Sequence, residues 1–439
     1  MPNDEGVLII GAGIAGLAAA WDLTLAGRHV IVLEARDRIG GRIHTLHNAA
    51  QVPVELGAEF IHGKPRELLD VIDNARLVFC DVSGRHWYVK EGKVGKSGDF
   101  WQKLNRLMDQ MKLSEPDRSF RDFLDSQPDD SEMRLTKSLA EKYVEGFHAA
   151  RLERIGVHGL IKANEAEEAI EGESSFRVLE GYSSVVHWLH QEADRAGAMT
   201  HLNTVVKEIR RINQSVEAVC ENGSFRGASA IVTLPLGVLQ VPSDRAGGVL
   251  FDPPLPQEKQ KAIRALQMGD VAKIALRFRS RFWEKLDLPD LVEDLWELGF
   301  IHHMETKFPT WWTFLPLRAR VIVGWVGGPD AEALVLTDQA SILQEALTSL
   351  GEIFRTSVDF LHRELEGWHL HNWHTDEFSR GAYSYVPVNG LEAQQALARP
   401  VEKTLYFAGE ATSVGHIGTV HGALASGQRA AKELLSDKL

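Results

Sequence analysis

The chain has 439 residues and a formal net charge of −13. That length supports several cores and more than one domain, while the acidic balance disfavours nucleic acid as a partner and mildly favours a cationic one. Only Cys80 and Cys220 are present, so there is neither a zinc pattern nor a disulfide framework; no basic region precedes the first apolar stretch, and the expectation is a cytoplasmic protein without a membrane span.

In chain order, Val7 to Ile10 is short, apolar and β-branched, and reads as a buried strand running into a tight turn. Gly11, Gly13 and Gly16 then fill G-x-G-x-x-G, the first for the turn, the second for close approach of backbone amides to a pyrophosphate, the third for helix packing. The helix that follows carries Ile14, Leu17, Trp21 and Leu25 on one face and ends near Gly27. A strand from Val30 to Leu33 delivers Glu34, whose carboxylate suits both ribose hydroxyls and repels a 2′-phosphate. Next come Arg36, Arg38, Gly40, Gly41 and Arg42: the glycines let the backbone run close to a cofactor, and the arginines supply fixed positive charge beside a diphosphate. A simple NAD site has no need of that extension.

Residues 100–150 are charged and helical in period. A glycine turn at Gly181, a helix and a strand through Val205 and Val206 follow, and "ASAIVTLPLGVL" closes that segment with another strand. In "VAKIALRF", alternation puts Val271, Lys273, Ala275 and Arg277 on one face, which by pattern alone is a solvated face. "ARVIVGWV" is a further strand, and Trp296, His302, His303, Trp311 and Trp312 in the 290–330 stretch either line a cavity or fill a core. "TLYFAG" reads as a strand ending at Gly409; Gly418, Thr419 and Val420 then open an alanine-rich helix with Thr419 as candidate N-cap. The pairs His187/His190 and His371/His374 lack a third ligand at suitable spacing, so no metal is expected.

The "EARDRIGGR" segment, together with "LYFAGEATSVGHIGTVHGALASGQRAAKELL" at residues 405–435, resembles the flavin-containing amine oxidase superfamily: monoamine, polyamine and spermine oxidases, L-amino-acid oxidases and lysine-specific histone demethylases. The resemblance implies an α/β fold in which a Rossmann-like FAD-binding domain (1–75, 176–245 and 366–439) interleaves with a mixed-sheet plus helical substrate domain (76–175 and 246–365). It implies FAD contacts from Val206 through its backbone, from Gly57 and Ala58, from Trp373 and Phe378 packed on the ring, from Glu410 at the ribityl chain and from the Gly418–Val420 amides. Tyr383 would form one wall of an amine cage, Lys273 would hold a water at the reactive flavin nitrogen, and His62 of "ELGAEFIHG" would face the substrate, with Glu59 a weaker candidate. Ala382 stands where monoamine oxidases carry a flavin-linking cysteine, so the flavin should be noncovalent; Thr419 stands where they carry a second cage tyrosine.

The function so implied is oxidation of a primary or secondary amine, with hydride transfer to FAD, hydrolysis of the imine and reduction of dioxygen to hydrogen peroxide. An L-amino-acid oxidase of the same fold is the alternative, needing a pocket arginine such as Arg177 or Arg318 for the substrate carboxylate; a noncatalytic flavoprotein is a further one. A chromatin-type demethylase module is disfavoured because this sequence shows no long coiled-coil insertion, and the C-terminal motif opposes protoporphyrinogen oxidase or carotene desaturase activity. Oligomeric state is not legible.

Overall fold

The computed structural model describes residues 6–83, 86–90, 93–95, 100–286 and 295–437. The domain expectations where they cover residues 1–5, 84–85, 91–92, 96–99, 287–294 and 438–439, and the head of the 290–330 stretch, therefore lie outside the described residues.

The glycine-rich opening forms as its pattern requires. Strand β1 (Val7–Ile10) is buried along its whole length, helix α1 spans Ile14–Leu25, and β2 spans Val30–Leu33. A parallel sheet assembles around β1, with β3 (Met199–His201) beyond β2 on one side and β4 (Ser229–Val232) then β5 (Leu405–Phe407) on the other. A strand with parallel neighbours on both sides and both faces covered must be apolar throughout, and Val7-Leu8-Ile9-Ile10 is. The C-terminal helix Val420–Asp437 and the helix Ser183–Arg195 pack on α1 over one face; on the other lies the sheet containing Val206–Ile212, where Val206 is buried. Gly16 is where α1 and β1 meet most closely: a Cβ there would sit 2.0 Å from the Gly11 carbonyl oxygen.

A second, mixed sheet has the order Leu365–Leu370, Val271–Phe278, Val321–Gly327, Thr310–Trp312, Phe300–His302, His86–Lys90 and Lys93–Gly95. Its pairings are antiparallel except that of Phe300–His302 with His86–Lys90. Here the solvated-face reading of Val271–Phe278 is overturned. Val271, Lys273 and Ala275 are all buried, because Val54 and Leu56, joined by Trp312 and Phe314, cover that side. Alternation along one strand carries no information about a segment more than two hundred residues away that lies across it.

The expected helical excursion is present. Helix α2 (Ser131–Phe147) begins at Asp130, whose carboxylate accepts from the Glu132 and Met133 amides, and α3 (Val157–Glu168) packs with it in a separate core that also takes in Tyr385. A small antiparallel sheet of Ile61–His62, Ser175–Val178 and Phe79–Asp81 lies between these units and fixes His62 opposite Ser175. No helix among the described residues is long and apolar enough to cross a membrane.

Gly16→Ala should cost about 3 kcal/mol or more, since backbone must move to admit the methyl group; a urea denaturation midpoint matching that of the unchanged chain would contradict this packing.

Candidate active site

The carboxyl ends of β1 and β2 meet α1 in a cradle. Glu34 is buried and accepts from the Ala12 amide at 2.7 Å and the Arg36 amide at 2.9 Å; burial raises its pKa, and those amides oppose the rise. α1 starts at Gly13 with no side-chain cap, leaving its first amides available. A Cβ on Gly13 would meet nothing within 4 Å, in contrast to Gly16. The Arg38–Arg42 loop rests on this turn through the Gly40 amide and the Ala12 carbonyl, 2.9 Å apart. Arg38 donates from Nη1 to the Ile39 carbonyl at 3.2 Å, yet its Nη2 is buried without a partner. Burial, helped by the charge of Arg36, lowers its pKa to about 10. Open volume, uncapped amides and an unanswered guanidinium nitrogen together fit the diphosphate of a dinucleotide.

Arg36 has partners of its own within the chain. It pairs bidentately with Asp376 at 2.8 and 2.8 Å and lies 5.4 Å from the centre of the Phe378 ring. Arg36 and Phe378, both expected against the cofactor, thus pack on each other. Asp376, also 2.7 Å from His371 Nε2, went unnoticed in the sequence. Burial acts against its charge, but His371 and Arg36 outweigh it and hold the carboxyl far below the usual range. Its only sequence signal was an acid in a run otherwise matched by aromatics.

Arg42 joins three distant segments, donating to the Ala382 carbonyl and to Glu410 Oε1, both at 2.9 Å. Glu410 Oε2 in turn accepts from Ser384 Oγ at 2.6 Å and the Gly418 amide at 3.0 Å. Gly57 and Ala58 run against Arg42, the Ala58 amide donating to its carbonyl at 3.2 Å, and Trp373 caps them by donating to the Leu56 carbonyl at 2.9 Å. Thr419 is a helix N-cap: its hydroxyl accepts from the Gly422 amide at 3.0 Å and donates to the His416 carbonyl at 2.7 Å.

Beside Gly57 lies a buried charge cluster. Lys273, 4 % exposed, donates to the Gly57 carbonyl at 3.0 Å and its Nζ lies 2.6 Å from Glu59 Oε2. Glu59 Oε1 accepts from Arg177 Nη2 at 2.7 Å and Trp312 Nε1 at 3.0 Å. Burial opposes the charge on Glu59, but Lys273 and Arg177 outweigh it and keep its pKa below the ordinary value. Two cations share one carboxylate, so the cluster keeps one formal positive charge.

Tyr383 and Trp325 stand near-parallel, at 15° with centroids 6.5 Å apart, and the Tyr383 hydroxyl donates to the Phe147 carbonyl at 2.7 Å. Trp325 pairs across the sheet with Lys273, a register the sequence does not reveal. His62 packs edge-on to Phe147 at 5.5 Å, and burial lowers its pKa to about 4. Of the 290–330 residues, Trp312 reaches the cluster through Glu59, Trp311 fills the mixed-sheet core, His302 pairs with His86 at 3.0 Å and Trp296 is 47 % exposed. Among the described residues no three His, Cys, Asp or Glu side chains gather as a metal site.

A dinucleotide cradle beside an aromatic, cation-bearing wall fits a flavin-dependent oxidoreductase. The family of flavin containing amine oxidoreductases matches residues 14–435, and the chain belongs to it. Polyamine oxidase 2 of Arabidopsis thaliana is 30% identical over 98% of this chain and 88% of its own length. Lysine-specific histone demethylase 2 of Homo sapiens is 29% identical over 98% of this chain, which spans 53% of that protein. A putrescine oxidase structure, 20% identical, superposes with a TM-score of 0.81 over 98% of this chain and 99% of that one, and shares the fold.

Burial lowers His62 to about 4 and His302 and His421 to about 3, the last two also through a neighbouring histidine. In the unfolded chain each returns to about 6.5 and takes up protons first, so stability is complete above that value and drains away between it and the folded values. The melting temperature should therefore fall as pH is lowered from about 7.5 to about 5, the histidines outweighing the opposite contribution of Glu55, which burial raises to about 7; a melting temperature that rises over that interval would contradict the neutral burial of these rings.

Proposed function

We propose that this enzyme is an FAD-dependent oxidase of primary or secondary amines that holds its cofactor noncovalently and yields hydrogen peroxide. The observation that carries the reading is Lys273, buried and anchored to the Gly57 carbonyl opposite the Tyr383 and Trp325 rings. On this reading 1–75, 176–245 and 366–439 form the cofactor side, and 76–175 and 246–365 the substrate side.

Glu34 takes the ribose, the Gly13 amides and Arg38 the diphosphate, and Glu410 the ribityl chain, while Val206 backs the adenine end. Ala382 offers a methyl group where a covalent link would need a thiol. Bound FAD supplies the hydride acceptor and the route for electrons to dioxygen. The chain's part is orientation and charge. Tyr383 and Trp325 present ring faces that strip water from the amine and favour its uncharged form, ready to give up hydride. His62, neutral near pH 7, adds no competing charge there. Lys273 keeps positive charge where negative charge develops during reduction. The Thr419 end of the C-terminal helix adds its dipole to the same purpose. Imine leaving the site is hydrolysed by water.

An amino-acid substrate fits less well. Arg177 is committed to Glu59, and Arg318 is clamped by both Glu284 oxygens at 2.8 Å. Neither remains for a carboxylate, so amines should bleach the flavin anaerobically and L-amino acids should not.

Acid precipitation is expected to leave all the flavin in the supernatant, identifiable as FAD by chromatography; colour retained on the pellet would contradict the assignment at Ala382. Lys273→Met should retain flavin yet slow both half-reactions in stopped flow, by about 10² to 10³-fold as for other preorganised electrostatic donors. Unchanged rates would remove Lys273 from the chemistry.

A further inference from the structure

Arg177 is held in the cluster around Glu59 in a way that stability alone does not account for. It stands on Ser175–Val178, the central strand of the small sheet, between Ile61–His62 and Phe79–Asp81. Its side chain is 6 % exposed and that of Glu59 is 2 %. A guanidinium and a carboxylate bind best through two parallel hydrogen bonds. Here Nη2 alone reaches Glu59, at 2.7 Å, with a longer contact of 3.4 Å to the Thr313 carbonyl. Nε and Nη1 are buried and have no hydrogen-bond partner among the described residues. The guanidinium carbon lies 4.5 Å from the centre of the Phe314 ring and 5.2 Å from that of Phe60. Ring faces attract the charge, but buried donors left without acceptors carry a desolvation cost.

Glu59 has no need of Arg177 for neutrality. Lys273 already answers it, with Nζ 2.6 Å from Oε2, and Trp312 Nε1 donates to Oε1 at 3.0 Å. What Arg177 changes is the charge count. Without it, Lys273 and Glu59 form a neutral pair whose opposite fields largely cancel a few ångströms away; with it, one positive charge is left over. Glu59 stays ionised, because Lys273 and Arg177 together outweigh its burial. Lys273 commits one ammonium hydrogen to the Gly57 carbonyl and another to Glu59, and the third has no partner among the described residues. The lysine beside Gly57 therefore keeps a charge that Glu59 would otherwise cancel.

We propose that Arg177 is a positioning residue of the oxidase reaction: by holding Glu59 from the opposite oxygen, it leaves the charge of Lys273 free to act on the flavin. This rests on the oxidase reading and extends it from one lysine to a lysine, an acid and an arginine that act as a unit. Arg177 works through Glu59 and Lys273. The reaction and its products are unchanged by it.

The test replaces Arg177 by Met and by Lys in the intact flavoenzyme. Arg177→Met places an apolar chain between Phe60 and Phe314 and leaves no uncompensated charge, since Glu59 retains Lys273. Its melting temperature, with and without FAD, should hold or rise. The midpoint potential of its bound flavin should fall, and reoxidation by dioxygen should slow about 10-fold, less than for Lys273→Met because the charge removed lies further off. The contact with Glu59 is through one nitrogen only, so a lysine can replace it: Arg177→Lys should keep the potential and reoxidise within about threefold of the unchanged enzyme. An Arg177→Met variant with unchanged potential and reoxidation overturns the proposal whatever its melting temperature, and so does an Arg177→Lys variant as slow as Arg177→Met. Failure of Arg177→Met to fold shows a structural arginine and overturns it as well. If Lys273→Met slows both half-reactions while Arg177→Met leaves the potential unmoved, only the role of Arg177 falls; if Lys273→Met is also without effect, the part given to Lys273 falls with it.

Discussion

A single carboxylate, that of Glu59, ties the mixed sheet to the small antiparallel sheet and to the Gly57–Ala58 segment. It follows Gly57 and Ala58, which run against Arg42; it takes Lys273 and Trp312 from the mixed sheet and Arg177 from the small sheet that also carries His62. Charges so deeply buried persist only with partners, because the desolvation of each would otherwise exceed anything packing returns. The arrangement therefore acts as a lock on register. If either sheet slipped, a buried cation would lose its counter-charge.

The same cluster divides its charge between two cations and one carboxylate. Lys273 and Arg177 are both oriented by Glu59, and the surplus charge is directed at the Gly57 carbonyl. Aromatic groups make up the remainder of the wall, with neutral imidazole at His62. Such a surface sets one surplus positive charge beside aromatic rings in a chain that belongs to the amine oxidoreductase family. The fold itself tolerates wide sequence change, since a structure only 20% identical superposes along nearly all of its length.

How much was legible depended on the distance over which each signal acts. The opening strand, glycines, helix and second strand were readable because all of their information lies within thirty residues: apolar runs, turn residues and one acid. The far end was readable by its resemblance, and Thr419 as an N-cap by type and place. Lys273 was ambiguous, as period two along its strand is the same whether the face meets water or residues 49–56. Asp376, the partner of Arg36, and Trp325, the cross-strand neighbour of Lys273, were missed because pairing between remote segments leaves no periodic trace. Arg177 was weighed as a clamp for substrate carboxylate; its commitment to Glu59 depends on a turn of chain more than a hundred residues earlier.

The parallel sheet has a consequence for the way this chain comes off the ribosome. Its first four strands are complete by Val232, but β5, the edge neighbour of β4, is not made until Leu405–Phe407. Through all of the intervening synthesis β4 presents unpaired amides and carbonyls, a ready template for a strand of another chain. Five of the seven strands of the mixed sheet are produced in that interval. A nascent chain stalled between these points would be a half-closed sheet with a sticky border, so translation pauses within residues 233–404 favour aggregation more than pauses after β5 has docked.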